Sequence, residues 1–122
     1  MLSAASEALL LVMNATHLVS LVIGIGVGLF VGILPGLGGV VGMALLMPFL
    51  WGMDSTIAMA LLMGMMSVLR TVDTIPGILF AVPGTAGSQA TIMDGYPLAK
   101  KGEAARALGA AFTASMIGGV FG

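Results

Sequence analysis

HLVSLVIGIGVGLFVGILPGLGGVVGMALLMPFLW, running from His17 to Trp51, contains no Asp, Glu, Lys or Arg. Its first half is long enough to cross a roughly 30 Å hydrocarbon layer, which takes about 20 apolar residues in a helix. Gly24, Gly28, Gly32 and Gly36 recur every fourth residue, so they share one face of such a helix and let a neighbouring helix approach closely. Pro35-Gly36-Leu37-Gly38-Gly39 then interrupts the run with one missing amide donor and several permissive backbones. The apolar pattern resumes to Trp51, a residue suited to a membrane boundary. Residues 17–53 are therefore expected to form helix, break and helix. Gly52-Met53-Asp54-Ser55 makes the turn that follows, with Ser55 as a helix cap.

The rest of the chain repeats this character. The 122 residues are 59% hydrophobic and 7% charged, against roughly 25% charged in a soluble domain. A mean hydropathy of +1.17 with 11 Met and 19 Gly points to closely packed apolar helices. A β-barrel would instead alternate polar and apolar residues. The fold class is all-α integral membrane protein, with several transmembrane helices and two Pro/Gly-interrupted elements, broken or re-entrant. A net charge of -1 leaves no electrostatic footprint for nucleic acid. The absence of Cys excludes disulfides, thiolate metal sites and Cys nucleophiles.

Charge-free stretches mark the remaining elements. Residues 1–16, with Glu7 and Asn14 among leucines, are expected to form an interfacial helix. A cleaved signal peptide would want a basic start, and no Lys or Arg precedes Arg70. Residues 55–69 predict a third helix, short for a crossing. Arg70 and Asp73 follow, and the simplest reading pairs them at a boundary; alternatively Asp73 faces a pathway and binds a coupling cation. Residues 74–93 predict a second interrupted segment, broken at Pro83-Gly84-Thr85-Ala86-Gly87-Ser88. Residues 94–106 predict a polar loop holding Lys100, Lys101 and Arg106, three of the four basic residues, which places it in the cytoplasm. Residues 107–122 begin a further helix.

Broken helices in lipid expose backbone groups that must be buried in protein or face a water-filled cavity. Where a half-helix starts, free amides and the helix dipole attract anions. Gly36, Gly38 and Gly39 offer this at the first break. Gly84, Thr85, Gly87 and Ser88 offer amides and hydroxyls at the second, with Gln89 and Thr91 extending a polar lining. A carboxylate is the natural ligand. Each feature also has a plainer account. Gly24, Gly28 and Gly32 are assigned to helix packing, the first break would also suit an ordinary loop, the hydroxyls of Thr85, Ser88 and Thr91 would bond to nearby carbonyls, and Gln89 would find a helix neighbour. No nucleophile and base are paired in the sequence, so no enzyme is expected. Gly24-Ile25-Gly26-Val27-Gly28 lacks the strand and third glycine of a dinucleotide loop. Asn14-Ala15-Thr16 is a chance sequon, His17 an interfacial residue, and Met63, Met65 and Met66 adaptable packing.

Three segments together resemble a known family. They are Gly28-Leu-Phe-Val-Gly32-Ile-Leu-Pro35-Gly-Leu-Gly38-Gly, Ala44-Leu-Leu-Met-Pro48, and the long run from Thr74-Ile-Pro-Gly through Pro83-Gly-Thr-Ala-Gly-Ser to Asp94-Gly-Tyr-Pro and Gly109. The chain from about residue 20 is similar to the large permease subunit of tripartite tricarboxylate transporters, the TctA family. The resemblance implies a secondary transporter of the bacterial inner membrane, multi-pass, carrying tricarboxylates or related carboxylates by symport. It implies delivery by a periplasmic solute-binding protein and a small membrane subunit beside it; the transport reading adds a coupling cation, Na+ or H+, to offset the charge of the anion, with no other cofactor. The resemblance places Pro35, Gly36, Gly38, Gly39, Pro83, Gly84, Thr85 and Ser88 near the substrate, and Gln89 joins these candidates as part of the polar lining. Arg70 stands where the family would lead one to expect a small or uncharged residue. Family members are several times longer, so an N-terminal fragment or incomplete gene product is expected. The rival reading is a small membrane adaptor or structural subunit without transport activity of its own.

Overall fold

The computed structural model describes residues 1–122, and all its regular elements are helical. They are α1 (Leu2–Val12), α2 (Ala15–Ile33), α3 (Gly39–Leu50), α4 (Ser55–Val72), α5 (Thr74–Phe80), α6 (Gln89–Lys100) and α7 (Ala104–Phe121), with a 3-10 turn at Ala86–Ser88 ahead of α6. Only 19 of the 122 residues are buried, while Phe30, Phe49, Trp51, Val120 and Phe121 stand exposed. An apolar exterior around so small a core belongs in lipid, where exposed apolar side chains carry no penalty. Three helical stretches are long and apolar enough to cross a membrane: Ala15–Ile33, Ser55–Phe80 and Ala104–Phe121.

The glycine face of α2 sets the centre of the fold. A Cβ on Gly24 would overlap the carbonyl of Leu61, one on Gly28 would meet the Met65 carbonyl at 2.8 Å, and one on Gly32 would meet Val72 at 3.0 Å. Gly64 on α4 reciprocates, facing the carbonyl of Leu21. Backbones this close gain dispersion and weak polar contacts that any side chain would forbid. Partners on α4 advance as residues on α2 advance, so α2 and α4 lie parallel. His17 Nε2 meets Thr56 Oγ1 at 3.1 Å, joining the two helices at their starts. Asp54 caps α4 there, accepting from the Thr56 amide at 3.1 Å.

A parallel pair requires the chain to return between them. α3 does this, although its 12 residues cover only about 18 Å. The turns at either end supply the rest: Gly36 has φ 81 and Gly52 φ 91, left-handed conformations that suit glycine. Gly36, fourth in the glycine series, thus serves the turn and not the seam. Buried Gly42 lets α3 sit on the seam, against Met65 and Val31. Val31, Met65 and Leu69 form the core there.

Several boundaries differ from those expected. The first helix stops at Val12, and Ala15 already belongs to α2. The third helix does not end at Leu69 but runs to Val72 and passes through Asp73 into α5. Thr74-Ile-Pro-Gly therefore continues a helix: Pro76 lies in the first turn of α5, where an amide would have no intrahelical partner. The interruption falls at Ala81–Ser88, opened by Ala81 in a left-handed conformation at φ 58. The 94–106 segment is not a loop either, because α6 runs to Lys100 and α7 starts at Ala104. Asp94 and Lys100 are on α6, whose buried Gly95 packs on Ile78, Lys101 and Glu103 flank the turn at Gly102, and Arg106 is on α7. Gly102, at φ 84, ends α6: its amide donates to Ala99 O at 3.0 Å and the Glu103 amide to Leu98 O at 3.0 Å. That pair of bonds is a Schellman motif, which stops a helix whatever the polarity around it.

Candidate functional site

The two breaks are adjacent in space. A Cβ on Gly38 would lie 2.5 Å from the carbonyl oxygen of Gly84, so the approach depends on glycine at position 38. Between the breaks lies a cavity of about 280 Å³. Leu37, Gly38, Gly39 and Val40 line it from the first break, Thr85, Ala86 and Gly87 from the second, and Met66, Leu69, Arg70 and Asp73 from α4.

Helix geometry supplies its donors. α3 starts at Gly39 with Gly38 as N-cap, and the Gly38 carbonyl accepts from the amides of Val41 at 2.9 Å and Gly42 at 3.2 Å. The amides of Gly39 and Val40 precede any possible intrahelical acceptor, and both residues face the cavity. Ala86 and Gly87 hold the same place in the 3-10 turn that leads into α6.

Asp73 organises the second break. It is 7% exposed, and its Oδ2 accepts a 2.6 Å hydrogen bond from the Thr85 hydroxyl. Its Oδ1 lies so close over Gly84 that a Cβ there would overlap it. α5 carries the chain away from Asp73 by about 10 Å, and residues 81–84 bring it back. Thr85 in turn exchanges bonds with Ser88: the Thr85 amide donates to Ser88 Oγ at 3.3 Å, and Ser88 Oγ donates to the Thr85 carbonyl at 2.8 Å.

Of the residues singled out in the sequence, Gly38, Gly39 and Thr85 line the cavity, and Gly84 lies beneath it against Asp73 and Gly38. Pro35 and Pro83 are exposed beside the breaks, and Gly36 is at an exposed turn. Ser88 is buried and its hydroxyl is spent on Thr85. Gln89 is exposed at the start of α6. These five do not line the cavity.

Arg70 and Asp73 join the site, and the expected ion pair between them is absent. The single salt bridge of the chain joins Arg106 to Glu103 at 3.2 Å, on the surface. Ending the third helix at Leu69 puts both charges at a boundary, whereas the continuous Ser55–Phe80 stretch puts them inside a span as its only charges. That position was the available signal, since ionisable residues inside a span mark pathways or paired sites. No group of three His, Asp or Glu side chains converges anywhere in the chain.

Residues 18–122 match the model described as the tripartite tricarboxylate transporter TctA family. Searches of curated proteins and of solved structures found no match.

Proposed function

The chain belongs to the tripartite tricarboxylate transporter TctA family, and from that membership we propose that it is the permease component, moving tricarboxylates or related carboxylates through the site between its two breaks. Membership makes it a component of a tripartite transport system, and its three long apolar helical stretches are those of a multi-pass membrane protein. The proposal adds the bacterial inner membrane, delivery of substrate by a periplasmic solute-binding protein, and a small membrane subunit as neighbour.

The observation that carries the reading is the meeting of the two breaks. Residues of two sequence-distant helix starts, with unpaired amides, line one cavity together with Arg70. Partial positive charge from both helix starts favours an anion there, and glycine at Gly38 and Gly39 lets an oxygen approach the backbone. Asp73 opposes that charge, so uptake of a polyanion would require a cation, Na+ or H+, to travel with it. Interrupted helices around a midplane site are the usual means of alternating access in secondary transporters. In this reading α2 and α4, joined at the glycine seam, move as one unit relative to the segments carrying the breaks.

The test is uptake of labelled mono-, di- and tricarboxylates by cells carrying the intact transport system. Gly38→Leu and Gly84→Leu should each abolish uptake while leaving the protein inserted in the membrane. Unchanged uptake in both variants would remove the breaks from the pathway.

A further inference from the structure

Arg70 is the only basic residue at the cavity, since Lys100, Lys101 and Arg106 lie elsewhere. The chain provides it with no anionic partner. Asp73 would be the natural one, three residues on and on the same helical face. Its carboxylate is held away: Oδ2 is engaged by the Thr85 hydroxyl at 2.6 Å, and Oδ1 is packed over the Gly84 backbone. An arginine keeps its charge at any physiological pH, and within an apolar span that charge must face water or an anion. Arg70 is exposed and lines the cavity, whose wall also carries Gly39 and Val40 with their free amides.

The geometry points to Arg70 as the residue that fixes one carboxylate group of the transported anion, through the two-pronged N–H···O contact that a guanidinium makes. The start of α3 then receives a second carboxylate of the same molecule. This inference rests on the carboxylate-transport reading and adds a specificity to it: anions with two or three carboxylates are preferred over those with one, and Arg70 sets that preference. Asp73, held by Thr85, stays out of the contact and keeps the guanidinium free.

The chain contains two arginines, Arg70 and Arg106, which allows a test on the unaltered protein. The uptake panel first identifies a di- or tricarboxylate that cells with the intact system accumulate. Membranes from those cells are then treated with phenylglyoxal, which modifies accessible guanidinium groups, with and without that carboxylate, and each arginine peptide is followed by mass spectrometry. The carboxylate should slow modification of Arg70 and leave Arg106 unaffected. In transport, Arg70→Gln should raise the half-saturation concentration for the di- or tricarboxylate by about tenfold to a hundredfold. It should change the maximal rate less and flatten the preference over monocarboxylates. Arg70→Lys, which keeps the charge without the fork, should fall between. Equal modification of Arg70 with and without carboxylate overturns the inference, as does wild-type half-saturation in Arg70→Gln. If Arg70→Gln fails to accumulate, the protection measurement alone decides. No uptake of any carboxylate by the wild type would defeat the functional reading and this inference together. Uptake without protection would defeat this inference alone.

Discussion

The Thr85 hydroxyl donates a 2.6 Å hydrogen bond to Asp73 Oδ2, across 12 residues of chain. This bond ties the second break to the end of α4, and with it one wall of the cavity to its floor. A bond to a buried carboxylate is worth more than a neutral one, because its loss leaves a charged oxygen without a donor.

Thr85→Val should therefore lower stability by about 1.5–3 kcal/mol, while Thr85→Ser should stay near wild type. Thermal denaturation of the purified protein in lipid nanodiscs reads the difference. Equal melting temperatures for the valine variant and wild type would mean that the bond holds nothing in place.

Gly84→Ala should also destabilise, for a different reason: its new Cβ overlaps Asp73 Oδ1. Removing the carboxylate with Asp73→Ala removes the obstacle. The double variant should be less damaged than the sum of the two single changes, by about 0.5–3 kcal/mol. Simple additivity in the same denaturation assay would count against the contact.

On the α2–α4 seam, Gly24→Ala should separate the helices, at a cost of about 1–3 kcal/mol for overpacking. Gly26, two residues along the same helix, has nothing within 4 Å of a new Cβ. Gly26→Ala should be neutral or stabilising by up to about 1 kcal/mol through helix propensity. If the two variants melt alike, the seam is misplaced.

Membrane sidedness gives an independent check on the parallel pairing. Because α2 and α4 run the same way, single cysteines introduced at Asn14 and at Met53, just before each helix, should react with an impermeant thiol reagent from the same side. The chain has no native Cys to confuse the result. A cysteine at Lys101 should react only from the cytoplasm, as its basic surroundings predict. Labelling of positions 14 and 53 from opposite sides would rule out the parallel arrangement.

Much of this architecture is legible in the residues. The absence of charge from residues 8–53 marks lipid-embedded helix, Pro35 and Pro83 with their glycines mark the two breaks, and the Gly24-Gly28-Gly32 spacing marks a seam. Each is a local property, because backbone permissiveness, donor loss and helical periodicity act within a few residues. Helix ends were less legible. Pro76 looks like a breaker until its place in a first turn is known, and the charges of residues 94–106 look like a loop although they are spread over the end of α6, the tight turn at Gly102 and the start of α7.

Local properties of the residues suffice to make the chain a helical membrane protein of the TctA type with two interrupted elements, since apolar length and Pro/Gly placement need no partner to act. Long-range packing is what brings the two interruptions together at Gly38 and Gly84, sets α2 and α4 parallel, and leaves Arg70 lining the cavity unpaired while Asp73 bonds to Thr85. Glycine spacing shows that a helix has a close partner, but not which helix or in which direction. Charge spacing of three residues allows an Arg70–Asp73 pair as readily as two separate duties. A competing hydrogen bond and the close backbone of Gly84, both brought from a distant part of the chain, settle that choice.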